Sequence, residues 1–332
     1  MTKPNDLLPE GLEDRLPLEA ARITAAMRAC LDVLAAHGYD RVRPPLLEFE
    51  AALVGRMAGV SVGERSTMFR FVDPASLRTL ALRSDMTPQI GRIAATSLAA
   101  APRPLRLAYC GDTVVIKASQ LDPARERLQL GAELIGSDTV AAAGEAVMLA
   151  IEALKAAGLT GISVDFTLPD LVDTLAAKAF PLAPEQIEGV RRELDTKDAG
   201  GLRAAGGSAY LPLLYATGPL EGALAALRDV DAGGALKSRL DALEAIAGHI
   251  GDAARITLDP TERHGFEYQS WFGFTLYAEG QRRAVGRGGT YRIAGSEEPA
   301  TGFTLYLDRL AEAAPQPEAP RTCYLPLGHD RA

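Results

Sequence analysis

Three cysteines in 332 residues, Cys30, Cys110 and Cys323, are too few and too far apart for a disulfide framework. They read as reduced thiols used mostly for packing. The four histidines, His37, His249, His264 and His329, show no metal-ligand spacing with one another or with cysteine, which argues against a structural zinc. Long apolar runs are missing too, because Arg, Glu or Lys interrupts each of them, so no membrane span is expected. The first residues, Met1-Thr2-Lys3-Pro4-Asn5-Asp6, carry no apolar signal region, and a cytoplasmic location is expected. Positive charge is short: 35 Lys and Arg against 43 Asp and Glu, net -8, weighs against broad binding to a nucleic-acid backbone. What is present, 47% apolar and 23% charged residues, is the composition of a globular chain long enough for one large or two modest domains.

The pattern opens with a helix over residues 18–37, its stripe formed by Ile23, Met27, Leu31 and Leu34 and its stop by Gly38. Residues 39–49 are extended but broken by Pro44-Pro45, which marks a strand edge or a bend. Residues 68–72 and 79–83 suggest a hairpin turned at Asp73-Pro74, and residues 105–116 two short strands or one bent at Gly111. After a strand over 128–136, Ser137 or Asp138 is placed to cap a helix carrying Val140, Val147, Ile151 and Leu154. Ile162, Val164 and Phe166 alternate as a further strand. From 169 to 252 the chain turns rich in Ala, Leu and Gly and reads as a mostly helical insertion. Strand patterns return at 254–258, 271–278 and 282–286, residues 300–313 enter a last helix, and a Pro-rich tail follows. Most connections are too short for crossover helices, so the pattern predicts an α+β fold with a largely antiparallel sheet. The core would comprise 1–168 and 253–312, with an insertion at 169–252 and a tail at 313–332.

Two segments carry candidate chemistry. In Leu128-Gln129-Leu130-Gly131-Ala132-Glu133-Leu134, alternation puts the leucines and Ala132 on one face. Gln129 and Glu133 share the other face with Gly131 between them, a hollow with an amide and a carboxylate on its walls, suited to a cation or an amine. On alternation alone an ordinary half-solvated strand is the better reading. In Leu82-Arg83-Ser84-Asp85-Met86-Thr87-Pro88, Thr87 reads as an N-cap and Pro88 as the first helical residue. Asp85 then sits beside a helix N-terminus, either as a site residue or as a plain capping acid. Two other motifs fail. Asp170-Leu171-Val172-Asp173-Thr174-Leu175 lacks the glycine after Thr174 that a phosphate loop needs and reads as a helix start. Gly286-Arg287-Gly288-Gly289 lacks the Lys-Ser/Thr of a P-loop and reads as a tight turn near the pocket.

Taken in order, five segments resemble the motifs of class II aminoacyl-tRNA synthetases, and of the histidyl enzymes in particular. They are Tyr39 to Glu48, Leu82 to Thr87, Gln129 to Gly136, Gly288 to Tyr291 and Gly302 to Arg309. The stretch Arg83-Ser84-Asp85-Met86-Thr87-Pro88-Gln89-Ile90 is closer still to the paralogous family of ATP phosphoribosyltransferase regulatory subunits. The departures from the synthetase pattern agree with that choice. Val115 stands where the motif 2 arginine is expected, Tyr306 where motif 3 has a glycine that makes room for ATP, and His264 where an arginine leads the histidine-specific segment. A cationic clamp on developing phosphate charge is typically worth ~3–4 kcal/mol in the transition state, and valine supplies none of it.

The resemblance implies a histidine pocket. Asp85, Thr87 and Gln129 would hold the α-ammonium, Glu133 would face the imidazole, and Tyr291 would close over the ring. A tyrosine that contacts the imidazole falls on Gln269, preceded by Tyr268, which joins the set. It also implies a partner, the short catalytic subunit of ATP phosphoribosyltransferase, with this chain activating it, transmitting feedback inhibition by L-histidine, and forming a homodimer through motif 1 within a hetero-oligomer. No catalysis of its own, no cofactor, no metal and no nucleic acid enter this expectation, and about twenty residues after Arg309 leave no room for an anticodon-binding domain. The alternative is an active histidine-dependent ligase or synthetase-like enzyme.

Overall fold

The computed structural model describes residues 8–54, 68–117, 123–263 and 269–313. The chain begins with α1 (Pro17–Ala36), β1 (Asp40–Arg41), β2 (Leu47–Phe49) and α2 (Glu50–Val54). Then come β3 (Arg70–Val72), β4 (Thr79–Leu82), α3 (Thr87–Ala95), β5 (Leu105–Val114), β6 (Glu126–Ile135), α4 (Val140–Ala156) and β7 (Ser163–Thr167). A helical stretch follows, α5 (Leu171–Lys178), α6 (Pro184–Asp195) and α7 (Ala199–Ala204), then β8 (Gly218–Pro219), α8 (Leu220–Val230) and α9 (Lys237–Ile250). The last part holds β9 (Arg255–Leu258), β10 (Gln269–Tyr277), β11 (Gly286–Ile293), β12 (Glu298–Tyr306) and α10 (Leu307–Ala313).

Nine strands form one sheet in the order β1-β5-β6-β12-β11-β10-β7-β9-β8, and β2-β4-β3 form a second. Every pair is antiparallel except β1 with β5 and β7 with β9. The expected large, mostly antiparallel sheet with flanking helices is therefore present, and its two faces differ. One is apolar: Leu130, Ala132, Phe274, Phe303 and Leu305 join α4, whose Ala143, Val147, Ile151 and Leu154 are fully buried, in one continuous core. Leu171, Val190, Leu202, Leu227 and Leu243 from the helical stretch belong to that same core, and β8 adds a two-residue edge beside β9. The other face carries the candidate site.

Local signals in the sequence shift by a residue or more in four places. Thr139, not Ser137 or Asp138, caps α4: its Oγ1 accepts the Ala142 N–H at 3.3 Å. Met86 is the N-cap of α3, with Thr87 and Pro88 as its first residues, because the Asp85 carboxylate takes the Thr87 N–H at 3.3 Å. Of the two readings left open for residues 105–116, the single strand forms: β5 runs Leu105–Val114 through Gly111. The strand expected over 282–286 and the turn expected over 286–289 are both replaced by β11. Its glycines lie within the ladder because neighbours fill their side-chain space. A Cβ on Gly288 would stand 2.4 Å from the Phe274 ring. Pro44-Pro45 separates β1 from β2, which belong to different sheets, and the freed carbonyls are used. Arg83 Nη1 donates to Pro44 O (3.2 Å) and Pro45 O (3.4 Å), and Gln89 Nε2 to Pro45 O (2.7 Å).

Candidate functional site

Register builds the site. Across the polar face, one row runs Tyr109, Gly131, Thr304, Arg287 and Thr275 on β5, β6, β12, β11 and β10. The adjacent row runs Glu133, Gly302, Gly289 and Gly273 from β6 to β10. Three glycines side by side on consecutive strands leave a lane without side chains, and Glu133 closes one end of it. A Cβ on Gly302 would lie 1.7 Å from Glu133 Oε2, so only glycine lets the carboxylate lie across β12. Tyr291 on β11 borders the lane on one side, with Thr304 and Arg287 on the other. The lane is lined by Thr87, Glu133, Gln269, Arg287, Tyr291 and Thr304 together with backbone, and its free space is about 20 Å³, near what one water molecule needs.

The hollow expected at Gly131 is not open. Tyr109, its register partner, turns its ring into that space, and a Cβ on Gly131 would meet the Tyr109 hydroxyl at 2.4 Å. The open floor is the glycine lane one row over. Tyr109 is a candidate site residue that strand alternation misses, since only cross-strand pairing brings it opposite Gly131. Its hydroxyl donates to Glu133 Oε1 (3.1 Å) and lies 2.9 Å from Thr304 Oγ1 and 3.3 Å from Thr87 Oγ1. Tyr291 donates to the other oxygen, Glu133 Oε2, at 2.9 Å. Gln129 is held on three sides. Its Nε2 donates to Asp85 Oδ1 (2.5 Å) and Thr304 Oγ1 (2.9 Å), and its Oε1 accepts the Met86 N–H (3.0 Å). Helix α3, which follows Asp85 and begins with Thr87, is tied to β2 by Arg92, whose guanidinium binds the Glu48 carboxylate through two nitrogens. The structure thus joins Asp85, Thr87, Gln129, Glu133 and Tyr291 in one hydrogen-bond network, in which Thr87, Glu133 and Tyr291 line the lane while Asp85 and Gln129 stand behind that lining; Tyr268 and His264 lie outside the described residues.

The electrostatics are unusual for two acids so close. Burial pushes the Glu133 carboxyl up to about 8, against the hydrogen bonds from Tyr291 and Tyr109 that pull it down; the nearby Asp85 adds to the rise. Asp85 keeps part of its residue surface exposed, yet desolvation of its carboxyl raises its pKa against hydrogen bonds from Gln129, Thr87 and Met86. Two carboxyls placed this way favour a cationic or hydrogen-bond-donating guest, because such a guest offsets the cost of their ionised forms. No group of three or more His, Cys, Asp or Glu among the described residues could hold a metal. No helix among them is long and apolar enough to cross a membrane.

The positions that would clamp ATP look different. Val115 meets Arg125 through backbone, its N–H donating to Arg125 O at 2.8 Å. The Tyr306 ring carries the Arg309 guanidinium 4.6 Å from its centroid and that of Arg127 at 5.6 Å. Arg309 also donates to Ala284 O. The arginine kept in the motif 3 segment is therefore stacked on the very ring that replaces its glycine.

Comparison with known proteins gives the family and the fold. A family model described as histidyl-tRNA synthetase matches residues 11–310. The ATP phosphoribosyltransferase regulatory subunit of Paramagnetospirillum magneticum (strain ATCC 700264 / AMB-1) is 42% identical over 332 residues, covering 98% of this chain and 86% of its own length. The crystal structure of an ATP phosphoribosyltransferase regulatory subunit/histidyl-tRNA synthetase from Bacillus halodurans C superposes with a TM-score of 0.79 at 29% identity, covering 95% of this chain and 84% of that one. A chain of the ATP phosphoribosyl transferase HisG:HisZ complex from Thermotoga maritima shares the fold, with a TM-score of 0.64 at 17% identity, covering 86% of this chain and 97% of that one. With the family model matching residues 11–310 and a regulatory subunit 42% identical over 98% of this chain, the chain is a member of the family of ATP phosphoribosyltransferase regulatory subunits.

Proposed function

We propose that the chain has no catalysis of its own, binds L-histidine in the glycine lane, and sets the activity of a short catalytic ATP phosphoribosyltransferase subunit according to whether the lane is filled. One contrast carries this reading. The acids that would hold an amino acid are buried and positioned by Tyr109, Tyr291 and Gln129, while Val115 and Tyr306 occupy the places of the ATP clamps. Asp85, oriented by Gln129 and Thr87, takes the α-ammonium. Glu133, held by two phenol hydroxyls, accepts the imidazole N–H, and Tyr291 flanks the ring. The free space of the lane is smaller than histidine, so entry requires side chains to move. Gln269 and Arg287 are the half-buried members of its lining. Filling the lane thus changes the arrangement of β10 and β11 side chains, a difference that a partner subunit can sense. The coupling needed is modest, ~1–3 kcal/mol. The homodimer belongs to the same reading; Leu46 and Leu47, beside Pro45 in the motif 1 segment, are exposed apolar residues suited to a second copy.

The decisive measurement pairs calorimetric titration with L-histidine and an assay of the catalytic subunit with and without this chain. Histidine binding, activation of the subunit and loss of that activation on adding histidine support the proposal. Histidine-dependent ATP–pyrophosphate exchange that persists after removal of contaminating synthetase would mark an active ligase instead.

A further inference from the structure

The lane has an ionisable side chain on each of two sides. Of the residues that line it, Glu133 and Arg287 are the two with formal charge. Arg287 shares its face of β11 with Gly289 and Tyr291, and it stands in register with Thr304 on β12 and Thr275 on β10. Strands β6 and β11 are separated only by β12, and Arg287 is in register with Gly131, two residues along from Glu133, so the backbone positions of Glu133 and Arg287 are roughly 12 Å apart, which two long side chains span with a small molecule between them. Asp85 and Glu133 answer a cation and a hydrogen-bond donor, and neither answers an anion. A guanidinium is the side chain that recognises a carboxylate in two-pronged geometry.

We infer that Arg287 binds the ligand's carboxylate, and that the lane therefore takes a free α-amino acid and discriminates against the corresponding amine or amide. This rests on the proposal that the lane is a ligand site, and it adds the side chain that makes the ligand zwitterionic. It also assigns a use to the Gly286-Arg287-Gly288-Gly289 run: the glycines lie within the ladder, and the arginine between them reaches the lane. In this role Arg287 is a specificity determinant.

The test titrates the full chain with L-histidine, L-histidinamide and histamine, in the wild type and in Arg287→Met and Arg287→Lys. The expected result is a preference of about ten- to a hundredfold for L-histidine over the two ligands without a carboxylate, as a charge-assisted bond implies. Arg287→Met should abolish the preference by weakening L-histidine alone. Arg287→Lys, which keeps charge but loses the planar fork, should keep part of it. Histamine binding is the internal control for folding, since it needs the acids and not the arginine. Equal binding of histidine and histamine to the wild type, or equal weakening of both by Arg287→Met with the preference retained in the lysine variant, would overturn the assignment. If another amino acid binds in place of histidine with the same Arg287 dependence, the histidine reading fails and the carboxylate assignment stands. If no amino acid binds the wild type, both fall.

Discussion

Glu133 combines a cost to the fold with the central place in the proposed site. Its carboxyl is raised to about 8 in the folded chain, from the ordinary 4.5, chiefly by burial. Between those values the folded state holds a proton that the unfolded chain has released. The stability associated with that proton is complete below about 4.5 and is lost as pH rises through about 8. Glu133→Gln removes this dependence, so its thermal midpoint should fall less than that of the wild type between pH 5 and pH 8.5. Identical slopes for the two proteins would show that Glu133 titrates normally. The ligand acts with the opposite sign, because it favours the ionised acid. Histidine affinity should therefore increase between pH 7 and pH 8 in the wild type and show a shallower rise in Glu133→Gln. Tyr109→Phe deletes a hydroxyl whose bond lowers the Glu133 pKa. The midpoint of the affinity–pH curve should then move to higher pH, with a stability change of about 1 kcal/mol. An unmoved midpoint would remove Tyr109 from the site. Asp85, Thr87, Gln129, Glu133 and Tyr291 were legible in the sequence through parity and resemblance. Tyr109 and Thr304 were not, since both depend on which strand pairs with which.

At the scale of elements, β12 and β11 decide whether the lane exists. The sequence pattern located most strands and helices within a few residues, because their apolar alternation and stop signals are local. It misread β11, where Gly286, Gly288 and Gly289 resemble a turn in isolation. Glycine is depleted in strands unless another group approaches closely, and here Phe274, Leu305 and Gln269 do so from neighbouring strands. That information is tertiary. Gly302→Ala tests the lane directly. The added methyl would fall 1.7 Å from Glu133 Oε2 and 2.7 Å from Ala132 O, so the carboxylate must leave its bond to Tyr291. Overpacking of this kind costs ~1–3 kcal/mol. Histidine binding should fall at least as far as in Glu133→Gln, read by calorimetry alongside a melting curve. Unchanged affinity in a folded Gly302→Ala protein would place the ligand elsewhere.

For the whole molecule, the question is whether sensing and activation can be separated. The lane lies on the polar face of the sheet, while the helices of residues 171–250 share the apolar core of the opposite face with α4. A change confined to the Glu133 carboxylate leaves that core untouched, since the carboxylate's hydrogen bonds run to Tyr109 and Tyr291 on its own face. Glu133→Gln should therefore still bind and activate the catalytic subunit. Gln keeps the size of Glu but not its charge, and charge-assisted hydrogen bonds are worth roughly 1.5–3 kcal/mol, so histidine affinity should drop about ten- to a hundredfold. In an assay of the two subunits together, the histidine concentration for half-inhibition should rise by the same factor, because inhibition is linked to occupancy of the lane. Full activation with a right-shifted inhibition curve supports a sensor that acts through its ligand alone. Lost activation with unchanged histidine affinity would put Glu133 in the path to the partner, and an unshifted curve with weakened binding to this chain would locate the inhibitory histidine on the catalytic subunit.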